Sequence, residues 1–98
     1  MVRVCMNKFS TIIFRGGFSP DRIGGSKKQL SDLGIRIINA GEIDDNSGWD
    51  YEFPEIKIRK NKRFDVRMDW NDRHDCCDIV FRNGLTFAYV NDVDFRIV

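Results

Sequence analysis

Residues 77–98 read CDIVFRNGLTFAYVNDVDFRIV, and they contain the clearest strand and turn signals of the chain. Asn83-Gly84 is the strongest short-range signal for a two-residue hairpin turn, and Asn91-Asp92 is a weaker form of the same signal. The two turns divide the stretch into three short strands, which predicts an antiparallel three-stranded meander. Because side chains alternate between the faces of a strand, the turns also predict which residues share a face.

One face of this meander is predicted to be core and the other is mixed. The predicted core face carries Ile79, Phe81, Thr86, Ala88, Val90, Val93, Phe95 and Ile97. The mixed face carries Asp78, Val80, Arg82, Leu85, Phe87, Tyr89, Asp94, Arg96 and Val98, in the cross-strand rows Val80–Phe87–Arg96 and Asp78–Tyr89–Asp94. Such a face is either a binding surface or the surface that the helix covers.

The sequence predicts one helix over residues 26–33. Ser26 and Gln29 have the S-x-x-Q spacing of a capping box, and Gly34 supplies a C-terminal stop. Ser19-Pro20 predicts a further short helical turn. Strand-like runs at 11–15 and 35–39 flank this region, which predicts a βαβ crossover with those two strands parallel.

Residues 55–70 are predicted to form a second hairpin. A three-residue loop, Lys60-Asn61-Lys62, places Ile58 opposite Phe64 and creates two opposite-charge pairs. Those pairs are Lys57 with Asp65 and Glu55 with Arg67. The apolar face of this hairpin comprises Ile56, Ile58, Phe64, Val66, Met68 and Trp70.

These elements predict an α+β fold: a mixed, mainly antiparallel sheet of about six to eight strands that ends in the meander, with one short helix packed on one face. The 98 residues are expected to form a single domain. The net charge of +1 provides no bulk attraction to nucleic acid or membrane. Three cysteines, two of them adjacent, do not form a disulfide framework, and no signal-peptide or membrane-spanning pattern is seen. We therefore expect a soluble cytoplasmic protein.

Segregated charge is a second functional signal, after the mixed face of the meander, although a solvated charged surface is the more common interpretation of such a pattern. A basic cluster around the second hairpin comprises Lys57, Arg59, Lys60, Lys62, Arg63 and Arg67. The acidic loop before it includes Asp44, Asp45 and Asp50, together with the aromatic residues Trp49 and Tyr51. The loop lacks the ligand spacing of a calcium site. Aromatic residues in such a loop either anchor it to the core or contact a partner.

Two further patterns give only weak indications of a catalytic or binding site. His74-Asp75-Cys76-Cys77 lacks zinc-site spacing and an orienting partner for a nucleophile, so no catalytic residue, metal or cofactor is predicted. The glycine-rich turns at 16–17 and 24–25 precede possible helix starts, where anions bind, but the full phosphate-binding patterns are absent.

We therefore carry one leading hypothesis and two alternatives. The leading one is a small non-enzymatic module that binds a larger protein, of the inhibitor or antagonist kind, such as an immunity protein, an antitoxin or a phage counter-defence protein. The first alternative is single-stranded RNA binding through Phe87 and Tyr89, flanked by Arg82 and Arg96, with the basic hairpin tip. The second is nucleotide or anion binding at the glycine-rich turns.

Overall fold

Nine strands and one short helix make up the part of the chain that the computed structural model describes, residues 8–16, 18–41, 49–91 and 94–98. In chain order they are β1 (Ser10–Phe14), β2 (Arg22–Gly24), α1 (Lys27–Asp32), β3 (Ile35–Asn39), β4 (Tyr51–Glu52), β5 (Glu55–Ile58), β6 (Arg63–Asn71), β7 (Cys76–Phe81), β8 (Thr86–Val90) and β9 (Phe95–Ile97). The predicted α+β class, with a mainly antiparallel sheet and one short helix, is confirmed.

Seven strands form one sheet in the order β4-β2-β8-β7-β6-β1-β9, and β3 and β5 form a separate two-stranded ribbon. Every described pairing is antiparallel. The predicted parallel pairing of 11–15 with 35–39 is therefore wrong. The parallel pairing is prevented because both edges of β1 are occupied, by β6 and β9. β3 therefore pairs with β5, outside the main sheet.

The hairpin around Asn83-Gly84 is present, but its loop has three residues instead of two. The Phe81 N–H donates to the Leu85 carbonyl at 2.9 Å, and Gly84 has a φ of +90°, as in a turn followed by a left-handed residue. The extra loop residue places Ile79 opposite Phe87 and Val80 opposite Thr86. A one-residue shift reverses the faces of a strand, so Leu85 and Phe87 point into the core.

The third strand of the predicted meander pairs elsewhere. β9 pairs with β1, and the second edge of β8 is occupied by β2. The predicted hairpin at Asn91-Asp92 and the two rows that include Arg96 and Asp94 are therefore wrong, while Asp92 and Val93 lie outside the described residues.

The helix forms as its local sequence predicts. The Ser26 hydroxyl accepts a hydrogen bond from the Gln29 N–H at 3.1 Å, and the Gln29 side-chain oxygen accepts one from the Ser26 N–H at 2.6 Å. Gln29 also donates to the Asn83 carbonyl at 2.7 Å, which attaches α1 to the β7–β8 loop. The predicted turn at Ser19-Pro20 is not helical, because this segment leads into β2.

The second predicted hairpin has the right faces and the wrong partners. β5 pairs with β3, whereas β6 pairs with β1 and β7, so the bend at 59–62 carries the chain from the ribbon to the sheet. The predicted apolar face is buried, apart from the half-buried Trp70. The predicted ion pairs between β5 and β6 do not form, because nine-residue β6 has both of its edges occupied by other strands.

Five phenylalanine rings form a closed circuit in the core between the sheet and the ribbon. Successive ring centroids lie 5.1–5.6 Å apart, in the order Phe14, Phe18, Phe87, Phe81, Phe64 and back to Phe14. Phe87 is 0% exposed. The prediction that Leu85 and Phe87 belong to a face opposite the core is therefore wrong.

Candidate functional site

The exposed face of the β3–β5 ribbon carries two like charges in direct opposition. Arg36 of β3 and Lys57 of β5 are Cα partners in the ribbon, and both side chains are exposed. Among the described residues, neither one forms an ion pair with a carboxylate. Because like charges directly opposite each other destabilise a strand pair, packing and local electrostatics do not account for this arrangement.

The bend after β5 extends this positive charge. Arg59 and Lys60 are exposed there, and no described carboxylate pairs with them. We define the basic ribbon surface as Arg36, Lys57, Arg59 and Lys60. Three of these were predicted from the sequence, and Arg36 was missed because it lies 21 residues before Lys57 and becomes its neighbour only through the β3–β5 pairing.

Lys62, which the sequence also predicts to bind a partner, has a structural role. Its ammonium donates to the Leu33 carbonyl at 2.5 Å and lies 5.6 Å from the centroid of the Phe64 ring. The Leu33 carbonyl belongs to the end of α1, where a cation is favourable. Lys62 is therefore half-buried and engaged as a helix cap.

Arg67 and Arg82 lie on the outer face of the main sheet, and both contact the Phe9 ring. Their guanidinium carbons are 5.7 Å and 4.5 Å from its centroid. Arg67 also pairs with Asp69 at 3.1 Å, and Arg82 pairs with Asp65 at 3.2 Å. Both charges are thus balanced by a carboxylate close by.

The Asp65 carboxylate has two side-chain partners on this outer face, Thr11 and Arg82. It accepts a hydrogen bond from the Thr11 hydroxyl at 2.7 Å, and that bond, with the Arg82 guanidinium, holds the pKa of Asp65 below its ordinary value. Arg63 and Arg96 lie on the same face, both opposite Ile13 on the strands beside β1. The outer face therefore mixes arginines with paired acids, unlike the basic ribbon surface.

The acidic loop is anchored where the structure describes it. Gly24 lies so close to the indole of Trp49 that a β-carbon built on it would be 2.9 Å from ring atoms. Tyr51 lies in β4 opposite Ile23 and packs against the core. Asp44 and Asp45 lie outside the described residues.

The glycine-rich turn at 24–26 holds a carboxylate from within the chain. The Gly25 N–H donates to the Asp50 side chain at 2.7 Å, and the Ser26 N–H donates to Gln29. These N–H groups belong to one of the two glycine-rich turns of the nucleotide-binding alternative, and the other turn includes residue 17, which lies outside the described residues. An internal carboxylate therefore sits where that alternative requires a bound anion.

Aromatic exposure differs from the prediction. Phe87 is buried, and the half-buried Tyr89 stacks on His74 with 3.9 Å between ring centroids. The most exposed aromatic side chain among the described residues is Phe53, at 66%. Its φ is +47°, whereas a residue before proline favours an extended backbone, so the sequence signal pointed away from this conformation.

The His74–Cys77 segment brings no metal-ligand cluster together among the described residues. Cys76 is buried, and that burial raises the pKa of its thiol, which disfavours the thiolate.

An apolar groove of about 340 Å³ lies beside the ribbon. Leu30 of α1, Ile35 and Ile37 of β3, and Tyr51 of β4 line it, with Lys27 at its rim. A second depression beside β3 is lined by Arg36, Ile37, Ile38 and Lys57, and Ile38 is 65% exposed there. Among the described residues, the ribbon therefore has exposed apolar surface next to its charges as well as in the groove.

The fold and these surfaces define a small α+β protein with a charged ribbon beside an apolar groove. Comparison with protein-family models, with curated proteins and with solved structures finds no match for this chain. In the ranges 8–16, 18–41, 49–91 and 94–98, no helix is both long and apolar enough to cross a bilayer.

Proposed function

We propose that this protein is a small non-enzymatic binding module, of the inhibitor or antagonist kind, that docks on an acidic surface of a larger protein through the basic ribbon surface. The main observation behind this proposal is that Arg36 and Lys57 are directly opposite each other on neighbouring strands, with both side chains exposed. A glutamate at either position would create a favourable cross-strand pair. A partner of opposite charge supplies a reason for keeping two cations there, since complementary charge gives specificity and fast association.

One exposed apolar side chain beside these charges, and one exposed aromatic side chain shortly before β5, support the same proposal. Ile38 is 65% exposed next to Arg36 and Lys57, and Phe53 is 66% exposed two residues before β5. The Gly41 N–H donates to the Glu52 carbonyl at 2.7 Å, which holds the chain after β3 next to the segment that precedes Phe53. Protein interfaces combine apolar and aromatic anchors with a charged rim in this way.

The left-handed backbone of Phe53 strengthens this point. A bulky residue at positive φ costs about 1–2 kcal/mol, and such strain is concentrated at functional sites. Here the strained residue is also exposed, so burial in the core does not compensate for the cost. Strain at an exposed aromatic residue therefore supports a role for Phe53 in binding.

The thiol of buried Cys76 is not part of a disulfide. A free thiol fits the cytoplasmic location that we propose with this function.

Affinity capture from the native host, with a matched control, tests the proposal. Arg36→Glu and Arg73→Glu make the same charge change at exposed positions, one on the ribbon and one in the β6–β7 loop. We expect the wild type and Arg73→Glu to retain the same protein, identified by mass spectrometry, and Arg36→Glu to lose it. Equal retention by both variants would reject the basic ribbon surface as the docking site.

Single-stranded RNA binding is a second candidate, and a specific observation favours it. Arg63, Arg67, Arg82 and Arg96 share the outer sheet face with Phe9, which is the combination that stacks on bases and contacts phosphates. It ranks second because two of these arginines are already paired with Asp65 and Asp69. A gel-shift assay with an oligouridine at low salt tests it, and the absence of a retarded band would remove it.

A further inference from the structure

We infer that the open edge of β3 accepts an extended segment of the partner as an added strand, and that this segment alternates acidic and apolar side chains. This inference rests on the proposed function and deepens it, because it specifies the form of the partner as well as its charge. Three independent features of β3 lead to it: the direction of its backbone groups, the groove beside it, and the charges on the exposed face of the ribbon.

The backbone of β3 offers unused hydrogen-bonding groups at one edge. The Ile56 N–H donates to the Phe18 carbonyl at 3.4 Å, which points that N–H away from β3. Ile56 and Ile37 are Cα partners, so they form a non-hydrogen-bonded pair, and the Ile37 N–H and carbonyl also point outward. Ile35, two residues earlier, has the same orientation. Among the described residues, no second strand pairs with this edge of β3.

The groove lies on the side of β3 that carries Ile35 and Ile37. Its lining is apolar, with Leu30 and Tyr51 completing it, so an apolar side chain of an added strand can be buried there. The opposite face carries Arg36 and Lys57, so carboxylates suit the alternate positions of the same segment. Because side chains on a strand alternate with a period of two, one extended segment can satisfy both faces at once.

A second copy of this chain is a poorer occupant of the same edge. Pairing β3 with β3 would bring two rows of Arg36 and Lys57 side by side, with four positive charges close together. Positive side chains on an exposed edge are a recognised way of preventing such self-association. An acidic segment turns the same charges into favourable contacts.

The test begins with the full chain, immobilised and challenged with a phage-displayed library of random linear peptides. We expect the enriched sequences to alternate Asp or Glu with apolar residues. The absence of enrichment, or enrichment of sequences without this alternation, would overturn the inference.

Amide hydrogen exchange with a synthetic copy of the most enriched peptide then locates its binding. At a peptide concentration about ten times Kd, the Ile37 amide is expected to exchange about tenfold more slowly, because only the free protein exposes it. The Ile97 amide is the matched control. The Val98 N–H donates to the Thr11 carbonyl, so the Ile97 N–H points outward from edge strand β9, and Ile97 is not among the residues that line the groove beside β3. Unchanged exchange at Ile37 would overturn the inference.

Proline substitution provides a second readout. Ile37→Pro removes the outward N–H and is expected to weaken peptide binding about tenfold or more, whereas Ile97→Pro removes an equivalent N–H from β9 and leaves the affinity unchanged. If Ile37→Pro does not fold, the exchange measurement on the wild type still decides. A partner whose capture depends on Arg36 but which leaves Ile37 exchange unchanged would preserve the proposed function and reject the added strand.

Discussion

The rings of Phe18 and Phe87 meet edge to face at 5.6 Å, and this contact closes the circuit of five phenylalanines in the core. Phe18 comes from the segment between β1 and β2, and Phe87 comes from β8, so the contact joins two distant parts of the chain. The sequence places Phe87 on the mixed face, which is either a binding surface or a surface under the helix, and its position in this circuit gives it a role in stability.

Replacing Phe87 with alanine is expected to destabilise the protein by about 3–5 kcal/mol, because a buried ring is lost and a cavity remains. Urea unfolding followed by circular dichroism measures this change. Tyr89→Ala is the control, since Tyr89 is half-buried and its described ring contact is with exposed His74. Similar losses in the two variants would contradict the assignment of Phe87 to the core.

Gly24 is not expected to tolerate even the methyl side chain of alanine. A β-carbon at this position would lie 2.9 Å from two atoms of the Trp49 ring, so Gly24→Ala must displace the indole at a cost of about 1–3 kcal/mol. Gly16→Ala is the matched control, because no described atom lies within 4 Å of its β-carbon, and it is expected to change stability by less than about 0.5 kcal/mol. Thermal unfolding of both variants checks the difference, and equal melting temperatures would refute it.

Lys57→Glu is expected to raise the free energy of unfolding by about 0.2–1 kcal/mol, because the new carboxylate would face Arg36 across the ribbon. The same change should reduce partner capture, so stability and binding move in opposite directions. Lys60→Glu lies in the bend, outside the paired strands, and serves as the control for stability. A Lys57→Glu variant that is less stable than the wild type would show that the like-charge pair is not a cost.

The hydrogen bond from Thr11 to Asp65 makes the stability of the fold depend on pH in the acidic range. It is the largest cause of the lowered pKa of Asp65, and the Arg82 guanidinium adds to it. A carboxyl whose pKa is lower in the folded state stabilises the fold above its unfolded-state pKa, and this contribution is lost as the pH falls through the folded-state pKa. The affected range therefore lies below about pH 4.

Thr11→Val is expected to return the pKa of Asp65 towards its ordinary value, and Asp65→Asn is expected to flatten the dependence of melting temperature on pH in that acidic range. Carboxyl carbon chemical shifts in a pH titration measure the first effect, and thermal unfolding from about pH 2 to about pH 6 measures the second. An unchanged Asp65 titration in Thr11→Val would show that the hydroxyl does not hold the carboxylate.

Phe53 combines strain with exposure, and two substitutions separate these properties. Phe53→Asn is expected to stabilise the protein by up to about 1 kcal/mol, because asparagine tolerates the left-handed backbone better than phenylalanine. Phe53→Ala removes the ring and keeps most of the strain. Both are expected to weaken partner capture, but only Phe53→Asn should raise the melting temperature. Partner capture that survives both changes would exclude Phe53 from the interface.

Elements that depend on residues close together in the chain could be predicted from the sequence. Ser26 and Gln29 are three residues apart, so their capping box could be predicted, and the alternation along 55–70 correctly separated buried from exposed side chains. The turn at Asn83-Gly84 could also be predicted, because its signal comes from two adjacent residues. The charge of the basic cluster was also visible, since Lys57, Arg59 and Lys60 are close together in the chain.

Strand pairing and the choice of buried face depend on contacts between distant parts of the chain, so they could not be predicted in the same way. Several strands have similar apolar patterns, so their pairing depends on which strands compete for each edge. β2 pairs with the edge of β8 that the sequence assigned to residues 93–98. β5 pairs with β3 and not with β6. One extra loop residue at 82–84 then reversed the face of Phe87. The opposition of Arg36 and Lys57 arises in the same way, because a charge acquires its neighbours through long-range pairing that no local pattern specifies.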